Sequence, residues 1–364
     1  MQIKDVTQYL ETIAPIAYQE KYDNAGLIIG NSESKLSKIL VCLDVTEKVL
    51  QEAIDERCEL IIAHHPIIFQ PLKKINGKNF VERIIIKAIK NDVALYAIHT
   101  NLDNVLKNGV NGTLAKKLGL NNIRILEPKS DMLHKLTTFV PIKYKEKIST
   151  ALHQAGAGNI GDYKNCSFST IGEGEFTPQG DAQPFIGALN TPEKVEEVRI
   201  EVIMPAHLSN IIVGALKLAH PYETVSYFIS ALKNTFDEVG SGIIGTIEPT
   251  SSEAFLEKIK SLTQAKYIKH TAILGNKIKS VALCGGSGRF LLESAIAAHA
   301  DIFISSDFKY HDYFEADEKI LIADIGHYES EHHTIALIQD LIVKQFANLF
   351  VNSTLNDTNP VRFL

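Results

Sequence analysis

The sequence predicts an α/β protein in which two related α/β halves form one domain, interrupted by an α+β insert. At both ends of the 364-residue chain, short apolar strands alternate with amphipathic helices, a rhythm typical of βαβ units and a largely parallel sheet. The middle of the chain instead has the order β-α-β-β-α-β, which is the ferredoxin-like pattern. We therefore place the first half at 1–129, the inserted domain at 130–240 and the second half at 241–364.

The first half begins with an amphipathic helix at 5–17, where Val6, Leu10 and Ile13 recur at helical spacing. A polar turn then runs into a brief strand near Gly26. The elements predicted after it are strands at 38–43, 60–63 and 93–98 and helices at 46–57 and 80–90.

The insert contains two units that look alike. Each is a strand that ends in proline, at Pro141 or Pro205, followed by an amphipathic helix. The predicted elements of the insert are strands at 136–141, 166–176, 195–205 and 224–231 and helices at 145–155 and 208–219.

The second half resembles the first when the sequence is shifted by 242 positions. Val41 then falls on Leu283, and Ile61 falls on Phe303. The pair His64-His65 falls on Ser306-Asp307, so both halves end the matching strand in polar residues. A strand at 319–325 and a helix at 334–349 complete this half.

Composition narrows the classes of function. The chain has 37 basic and 43 acidic residues, a net charge of −6, which argues against a protein whose main partner is nucleic acid. Its four cysteines are scattered without a C-x-x-C pair, so we expect neither disulfides nor a thiolate zinc site. The N-terminus lacks a signal-peptide pattern and no apolar run is long enough for a membrane span. We expect a cytoplasmic protein with no membrane partner.

Side chains able to bind a metal follow three apolar strands. They are His64 and His65, then Asp103, then His327 and Glu331. Ligands gather beyond the carboxyl ends of strands in open α/β sheets, and helical spacing puts His327 and Glu331 on one side. Three imidazoles and two carboxylates suit divalent transition metals, and two ions sharing a bridging carboxylate would use all five ligands.

Each of these residues also has a purely structural interpretation. A lone histidine after a strand is often only a satisfied polar residue. Asp103 could cap a helix or turn, and Glu331 could be an acid favoured by a helix N-terminus. We interpret the adjacent His332 and His333 as structural.

Other residues near these strand ends could support the chemistry. His99 could orient a metal ligand, with a buried structural role as the equal alternative. Lys309, Tyr310 and His311 follow the strand that matches the His64-His65 strand, and His311 is our candidate for proton transfer. The run at 285–288 could cradle a phosphate, although a tight turn is favoured.

Five motifs carry a family resemblance: Asp23-Asn24-Ala25-Gly26-Leu27, His64-His65-Pro66, His99-Thr100-Asn101-Leu102-Asp103, Cys284-Gly285-Gly286-Ser287-Gly288 and Gly326-His327-Tyr328-Glu329-Ser330-Glu331. The chain resembles the GTP cyclohydrolase 1 type 2 family, also called dinuclear-metal-centre or NIF-like proteins. One departure is Tyr22, where many members have tryptophan. In the insert, His220-Pro221-Tyr222-Glu223 is similar to the signature of the PII-like or CutA-like domain in longer bacterial members.

The resemblance implies metal ligands at His64, His65, Asp103, His327 and Glu331. It further implies two divalent ions per subunit, with zinc as first choice and Mn, Fe, Co or Ni as alternatives. The implied reaction is opening of the imidazole ring of GTP with release of formate, in a homohexameric ring whose metal sites face an interior cavity. The alternatives are hydrolysis of another nucleotide or phosphate ester, and a non-enzymatic metal-binding or regulatory ring gated by the insert.

Overall fold

The computed structural model describes residues 1–275, 277–362 and 364. The chain divides into two compact units. The first combines Met1–Glu127 with Glu238–Leu364, and the second is the continuous segment Pro128–Asp237. The sequence places the insert at 130–240. The continuous unit, at 128–237, therefore starts two residues earlier and ends three residues earlier than predicted.

Strands and helices alternate through most of the first unit. In chain order the strands are β1 (Gly26–Ile29), β2 (Lys38–Cys42), β3 (Leu60–Ala63), β4 (Ala94–Ala97), β5 (Asn121–Lys129), β6 (Leu133–Pro141), β7 (Phe168–Phe176), β8 (Glu193–Pro205), β9 (Tyr227–Leu232), β10 (Phe236–Thr250), β11 (Lys269–His270), β12 (Ile278–Leu283), β13 (Ile302–Ser305), β14 (Leu321–Asp324) and β15 (Phe350–Ser353). The helices are α1 (Ile3–Ile13), α2 (Glu47–Asp55), α3 (Phe80–Lys90), α4 (Thr100–Asp103), α5 (Val110–Leu118), α6 (Lys145–Gln154), α7 (Ser209–Ala219), α8 (Ser252–Thr263), α9 (Leu292–Ala297), α10 (His327–Glu331) and α11 (His333–Gln345).

The first sheet of the first unit has the strand order β1-β4-β3-β2-β15. Strands β4, β3, β2 and β15 run parallel, and β1 pairs antiparallel with β4 at one edge. Every residue of β3 and β4 is buried. Their unbroken apolar sequences are what a parallel strand covered on both faces requires.

The second sheet of the first unit has the order β11-β14-β13-β12-β10-β5. Its central strands β12, β13 and β14 are parallel, whereas β10 pairs antiparallel with β12 and β11 pairs antiparallel with β14. The predicted relation between the halves is visible here, since β2 and β3 correspond to β12 and β13. The matching strands β3 and β13 lead directly into polar residues, His64 and Ser306.

Local signals explain where several helices of the first unit begin and end. Thr46 Oγ1 caps α2 by accepting a hydrogen bond from the Val49 N–H at 3.2 Å, and Asn79 caps α3 in the same way. Helix α1 ends at Ile13, earlier than predicted, because Pro15 disfavours helical backbone in the residue before it. No helix in the described part of the chain is long and apolar enough to cross a membrane.

The second unit has one antiparallel sheet with the order β7-β8-β6-β9. Its elements follow the predicted order β-α-β-β-α-β, with α6 after β6 and α7 after β8. The core packs both helices on one face of the sheet, through Leu136, Ile200, Ile148 and Ile212.

Candidate metal centre

The structure brings all five predicted ligands together within the first unit. His64 and His65 directly follow β3, and Asp103 is the last residue of the single turn α4, which follows β4. His327 and Glu331 are the first and last residues of α10, just beyond β14 in the other sheet. The carboxyl ends of strands from both sheets therefore contribute to one cluster.

Glu331 lies at the centre of this cluster, and its side chain is only 3% exposed. Its Oε2 atom is 3.0 Å from His65 Nε2 and 3.0 Å from His327 Nε2. Its Oε1 atom is 3.9 Å from His64 Nε2. The two oxygens thus face different histidines, as a bridging carboxylate would, and the predicted helical pairing of His327 with Glu331 is confirmed.

His64 and Asp103 each leave a buried polar atom without a partner. The Nδ1–H of His64 donates to the Ile98 carbonyl at 2.8 Å, so its Nε2 carries the lone pair. That Nε2 and Asp103 Oδ1 are 3.6 Å apart, and both are buried with no hydrogen-bond partner among the described residues. Buried polar atoms are rarely unpaired, so this nitrogen and this carboxylate oxygen fit two ligands of one cation.

A carboxylate orients each of the other histidines at its Nδ1 atom. Asp44 lies 2.8 Å from His65 Nδ1, and Asp307 lies 2.7 Å from His327 Nδ1. These contacts turn Nε2 of each ring towards Glu331. Histidine ligands in metal sites are held by carboxylates or carbonyls in this way.

His99 is held in the same manner. Its Nδ1 atom is 2.8 Å from Asp23 Oδ1, and Asp23 also accepts the Thr100 N–H at 3.0 Å. The His99 ring is 5.3 Å from the His64 ring and 5.2 Å from the His65 ring, measured between centroids. His99 therefore lies at the cluster, and the Asp23 of the first motif is the residue that positions it.

Burial and charge set the protonation of the acids. Burial raises the pKa of Asp103 to about 7, with His64 opposing and the Glu331 carboxylate adding to the rise. Burial also disfavours ionisation of Glu331, but hydrogen bonds from His327 and His65, together with the nearby imidazole of His64, outweigh it and hold its pKa well below the usual range. Glu331 is thus the permanent anion of the cluster.

Neighbouring carboxylates raise the pKa of two of the histidines. Burial disfavours protonation of His65, yet its hydrogen bonds to Asp44 and Glu331 raise its pKa to about 9. The same balance with Asp307 and Glu331 raises the pKa of His327 to about 11. Both rings therefore hold protons between carboxylates in this structure, and such protons are released when a cation binds.

Three groups of these side chains have ligand atoms close enough to hold one ion. They are His64 with Asp103 and Glu331, His65 with His327 and Glu331, and His64 with His65 and His99. Within each group the ligand atoms lie within 4.8 Å of one another. Glu331, His64 and His65 each belong to two of the groups, so the groups overlap.

The cluster opens into a cavity of about 1120 Å³. Aromatic rings line much of it, including Tyr22, Phe69, Phe80 and Phe290. Lys269 is the only lysine or arginine among the lining residues that the structure describes, and its Nζ is 2.6 Å from the buried carboxylate of Asp324. The site has room for a ligand of nucleotide size.

The structure does not bring His311 to the cluster. His311 is exposed on a 3₁₀ segment, Tyr310–Ala316, where its ring contacts Tyr310 and Phe314, and it is not among the described residues that line the cavity. Asp312 accepts the Lys309 N–H at 2.7 Å and starts this segment, which carries His311 away from the strand end. The residue near this strand end that does line the cavity is Asp307, which the shift of 242 positions aligns with His65.

The remaining motif residues have structural roles. His333 Nε2 is 3.0 Å from the Val110 carbonyl, and burial lowers its pKa to about 4, so it is a neutral core residue as predicted. In the glycine-rich run, the N–H groups of Gly285 and Gly286 already donate to Asn111 Oδ1 and Ser330 Oγ. The run is therefore a tight turn against the cluster, which favours that interpretation over a phosphate cradle.

Asp44 and Asp307 hold two histidines of the cluster, and the motifs alone indicated neither of them. Each lies two residues beyond the end of an apolar strand, β2 or β13, and each holds a histidine from the neighbouring strand end. The shift of 242 positions identified Asp307 as the counterpart of His65, and that relation could have indicated a role at the site. A single aspartate after a strand is otherwise indistinguishable from a turn residue.

We expect Asp307→Asn to weaken metal binding while the five ligands stay in place. An amide can accept the Nδ1–H of His327 but contributes no charge, and losing such a partner costs on the order of 10- to 100-fold in metal affinity. Competitive titration of the purified variant with a chelator measures this change. Asp317→Asn, an exposed aspartate paired with Lys319, is the control, and an equal effect of both variants would contradict the prediction.

Comparison with known proteins identifies relatives over the whole chain. The model of the family described as Duf34/NIF3 (NGG1p interacting factor 3) matches residues 1–360. A Bacillus subtilis protein named GTP cyclohydrolase 1 type 2 homolog is 38% identical over 370 residues, covering 99% of this chain and 98% of that protein. A Staphylococcus epidermidis protein of the same name is 35% identical over 370 residues, covering 100% of both.

Solved structures agree with these relatives. The crystal structure of a Bacillus cereus protein related to NIF3 superposes with a TM-score of 0.87 at 35% identity, covering 100% of this chain and 99% of that one. The resemblance predicted from the five motifs is confirmed. The chain belongs to the Duf34/NIF3 family.

Proposed function

We propose that this protein is a metal-dependent hydrolase whose site holds two divalent cations. The observation that carries the proposal is the pair of buried atoms without partners, His64 Nε2 and Asp103 Oδ1, facing the anion of Glu331. Asp44 and Asp307 support the proposal further, because each binds the Nδ1 atom of a histidine and so directs its Nε2 atom towards Glu331. These residues fit cations of the class that histidine and carboxylate ligands bind.

The groups of neighbouring ligand atoms support one way of dividing the five ligands between two cations. We assign His64 and Asp103 to one cation and His65 and His327 to the other, with Glu331 shared between them. When bound, such cations act as Lewis acids and provide a water nucleophile at neutral pH. Zinc is our first choice of metal, because it accepts this mixture of nitrogen and oxygen ligands in an open site.

For the substrate we propose GTP, hydrolysed at its imidazole ring with release of formate. The names of the relatives and the size and lining of the cavity support this choice. Tyr22, Phe69 and Phe80 offer flat apolar surfaces against which a purine can stack. Lys269 is the lining cation that can meet a phosphate group, and Asp324 holds its ammonium in place.

The first test is metal content. Elemental analysis of the full chain, purified without added metal, is expected to show two divalent ions per chain, and anomalous scattering should place both beside Glu331. A single ion, or none after reloading with zinc, manganese, iron, cobalt or nickel, would contradict the dinuclear site.

The second test is turnover. The metal-loaded protein is incubated with GTP, and formate and the ring-opened nucleotide are measured by mass spectrometry, with Asp103→Asn as the inactive control. We expect formate from the unaltered protein alone. Two bound ions without any change in GTP would overturn this substrate and favour hydrolysis of another ester or a regulatory metal site.

We also propose that the protein assembles as the hexameric ring that its resemblance implies. Exposed aromatic side chains such as Tyr310, which is 74% exposed, and Phe314, which is 66% exposed, support self-association. Light scattering coupled to gel filtration tests this, and a monomer at micromolar concentration would contradict it.

A further inference from the structure

The second unit contains a cavity of its own, of about 730 Å³. All the residues that line it belong to this unit, and they come from strands β6, β7 and β8, the loop between β7 and β8, and the segment after α7. Its volume is in the range of small-molecule sites. Nothing in the proposed metal chemistry uses it.

The motif His220-Pro221-Tyr222-Glu223 builds one wall of this cavity. His220 Nε2–H donates to the Phe139 carbonyl at 3.0 Å, and the Tyr222 N–H donates to His220 Nδ1 at 3.1 Å. His220 is 8% exposed, and burial lowers its pKa, so the neutral ring serves both contacts at once. It fixes the backbone beside the rings of Phe139 and Tyr222, which both line the cavity.

The loop between β7 and β8 forms the opposite wall and is tied to the same motif. The Gln183 N–H donates to Glu223 Oε1 at 2.8 Å. The loop is closed on itself by the Asn190 N–H, which donates to the Pro178 carbonyl at 2.7 Å. These bonds hold Phe185 on the cavity wall.

Three aromatic rings form a corner inside these walls. The centroid of Tyr222 is 6.2 Å from that of Phe176 and 6.2 Å from that of Phe185, with the ring planes inclined by 57° and 49°. Because these rings are inclined to one another, a ligand group in the corner can contact the π face of more than one ring. The ring of Phe185 already attracts a cation elsewhere, since Lys143 Nζ lies 5.4 Å from its centroid.

The charges of the lining side chains are mostly negative. Two carboxylates on the aromatic side of the cavity, Glu197 and Glu223, stand against the guanidinium of Arg199. Glu173 and Glu175 line the cavity from β7, but their side chains alternate to the other face of that strand, where Glu173 pairs with Lys194 at 2.7 Å. Arg199 is itself paired with Glu201, outside the lining. Glu197 Oε1 accepts the Tyr222 hydroxyl at 2.9 Å, which joins the anionic side of the cavity to the aromatic corner.

We propose that this cavity binds an organic cation of the quaternary-ammonium class. Aromatic faces attract such cations through the ring quadrupole, and methylated ammonium groups are recognised by clusters of aromatic rings. The negative charges of the carboxylates also attract a cation. An anionic ligand would be repelled by Glu197 and Glu223, and a neutral one would gain nothing from their charge.

Gly172 allows the cavity to be filled without disturbing the strand. It lies in β7 and lines the cavity, and a Cβ built on it meets no atom within 4 Å. The neighbouring Ile171 is 65% exposed and does not line the cavity in the part of the chain that the structure describes. Gly172→Phe and Ile171→Phe therefore add a ring at adjacent positions of one strand, only the first of them inside the cavity.

The test measures binding of choline and of its neutral carbon isostere, 3,3-dimethylbutan-1-ol, to the full-length protein by NMR titration. We expect choline to bind about 10-fold or more tightly than the isostere, a ratio worth about 1.4 kcal/mol. Gly172→Phe should abolish choline binding and Ile171→Phe should leave it unchanged. Tyr222→Leu should weaken it and serves as a second variant if Gly172→Phe misfolds.

Equal affinity for choline and its isostere would overturn the proposal, as would choline binding that survives both Gly172→Phe and Tyr222→Leu. No binding of either choline or tetramethylammonium at millimolar concentration would overturn it too. Chelation of metals should not change choline affinity, so this result is separable from the fate of the proposed hydrolase.

Discussion

Glu331→Gln is expected to lose binding of both cations together, with a fall in affinity of at least about 100-fold. Losing a residue that only orients a ligand costs about 10- to 100-fold, and Glu331 belongs directly to both groups of ligand atoms. The substitution also removes the one carboxylate that faces His64, His65 and His327 at once. Elemental analysis of the purified variant measures the loss.

The matched control for this change is Glu329→Gln. Glu329 lies on the same short helix α10 and is also buried, but its Oε1 accepts a hydrogen bond from Asn359 at 3.1 Å and it is not part of the described ligand groups. It should retain both ions. If Glu331→Gln kept one ion at full occupancy, Glu331 would not be the shared ligand.

Gly286→Ala is expected to disrupt the same site although it alters no ligand. A Cβ at this position would lie 2.2 Å from Glu331 Oε1 and 3.2 Å from Glu331 Cδ, so the carboxylate must move. Because Glu331 is buried among histidines, it has little space in which to move. We expect a loss of metal affinity comparable to that of Asp307→Asn or greater, measured by the same chelator competition.

Backbone strain alone must be separated from this steric effect. Gly286 has a φ of +63°, where an alanine is disfavoured by about 1–2 kcal/mol. Gly275 has a φ of +76° but no atom within 4 Å of its built Cβ. Gly275→Ala should therefore cost stability in thermal melting without loss of metal, and equal metal loss in both variants would contradict the argument.

The ligands could be predicted because each follows an apolar strand or stands one helical turn from a residue that does. Parallel strands place their carboxyl ends at one edge, so sequence order was enough to collect His64, His65 and Asp103. Asp44 was not predicted as a functional residue, because its role depends on which strand lies next to β3, and strand order is a long-range property. His311 was expected at the site, but it is exposed on the 3₁₀ segment Tyr310–Ala316 and does not line the described cavity, and the sequence carries no clear signal for that segment.

Some elements escaped prediction for similar reasons. Strand β15 was not predicted, because Phe350–Ser353 is short and follows a strongly periodic helix that appeared to continue to Leu349. It forms only through parallel pairing with β2 in the first sheet, a partner more than 300 residues earlier in the chain. Pairing between such distant segments leaves no local signal.

The bond between His65 and Glu331 joins residues 266 positions apart. The ribosome must therefore synthesise the whole insert and every strand of the second sheet before the last ligand exists. A nascent chain that has emerged only as far as β4 carries a histidine pair but no carboxylate from α10 with which to retain a metal. Binding of the proposed cations by all five ligands therefore requires a chain that has been synthesised as far as α10.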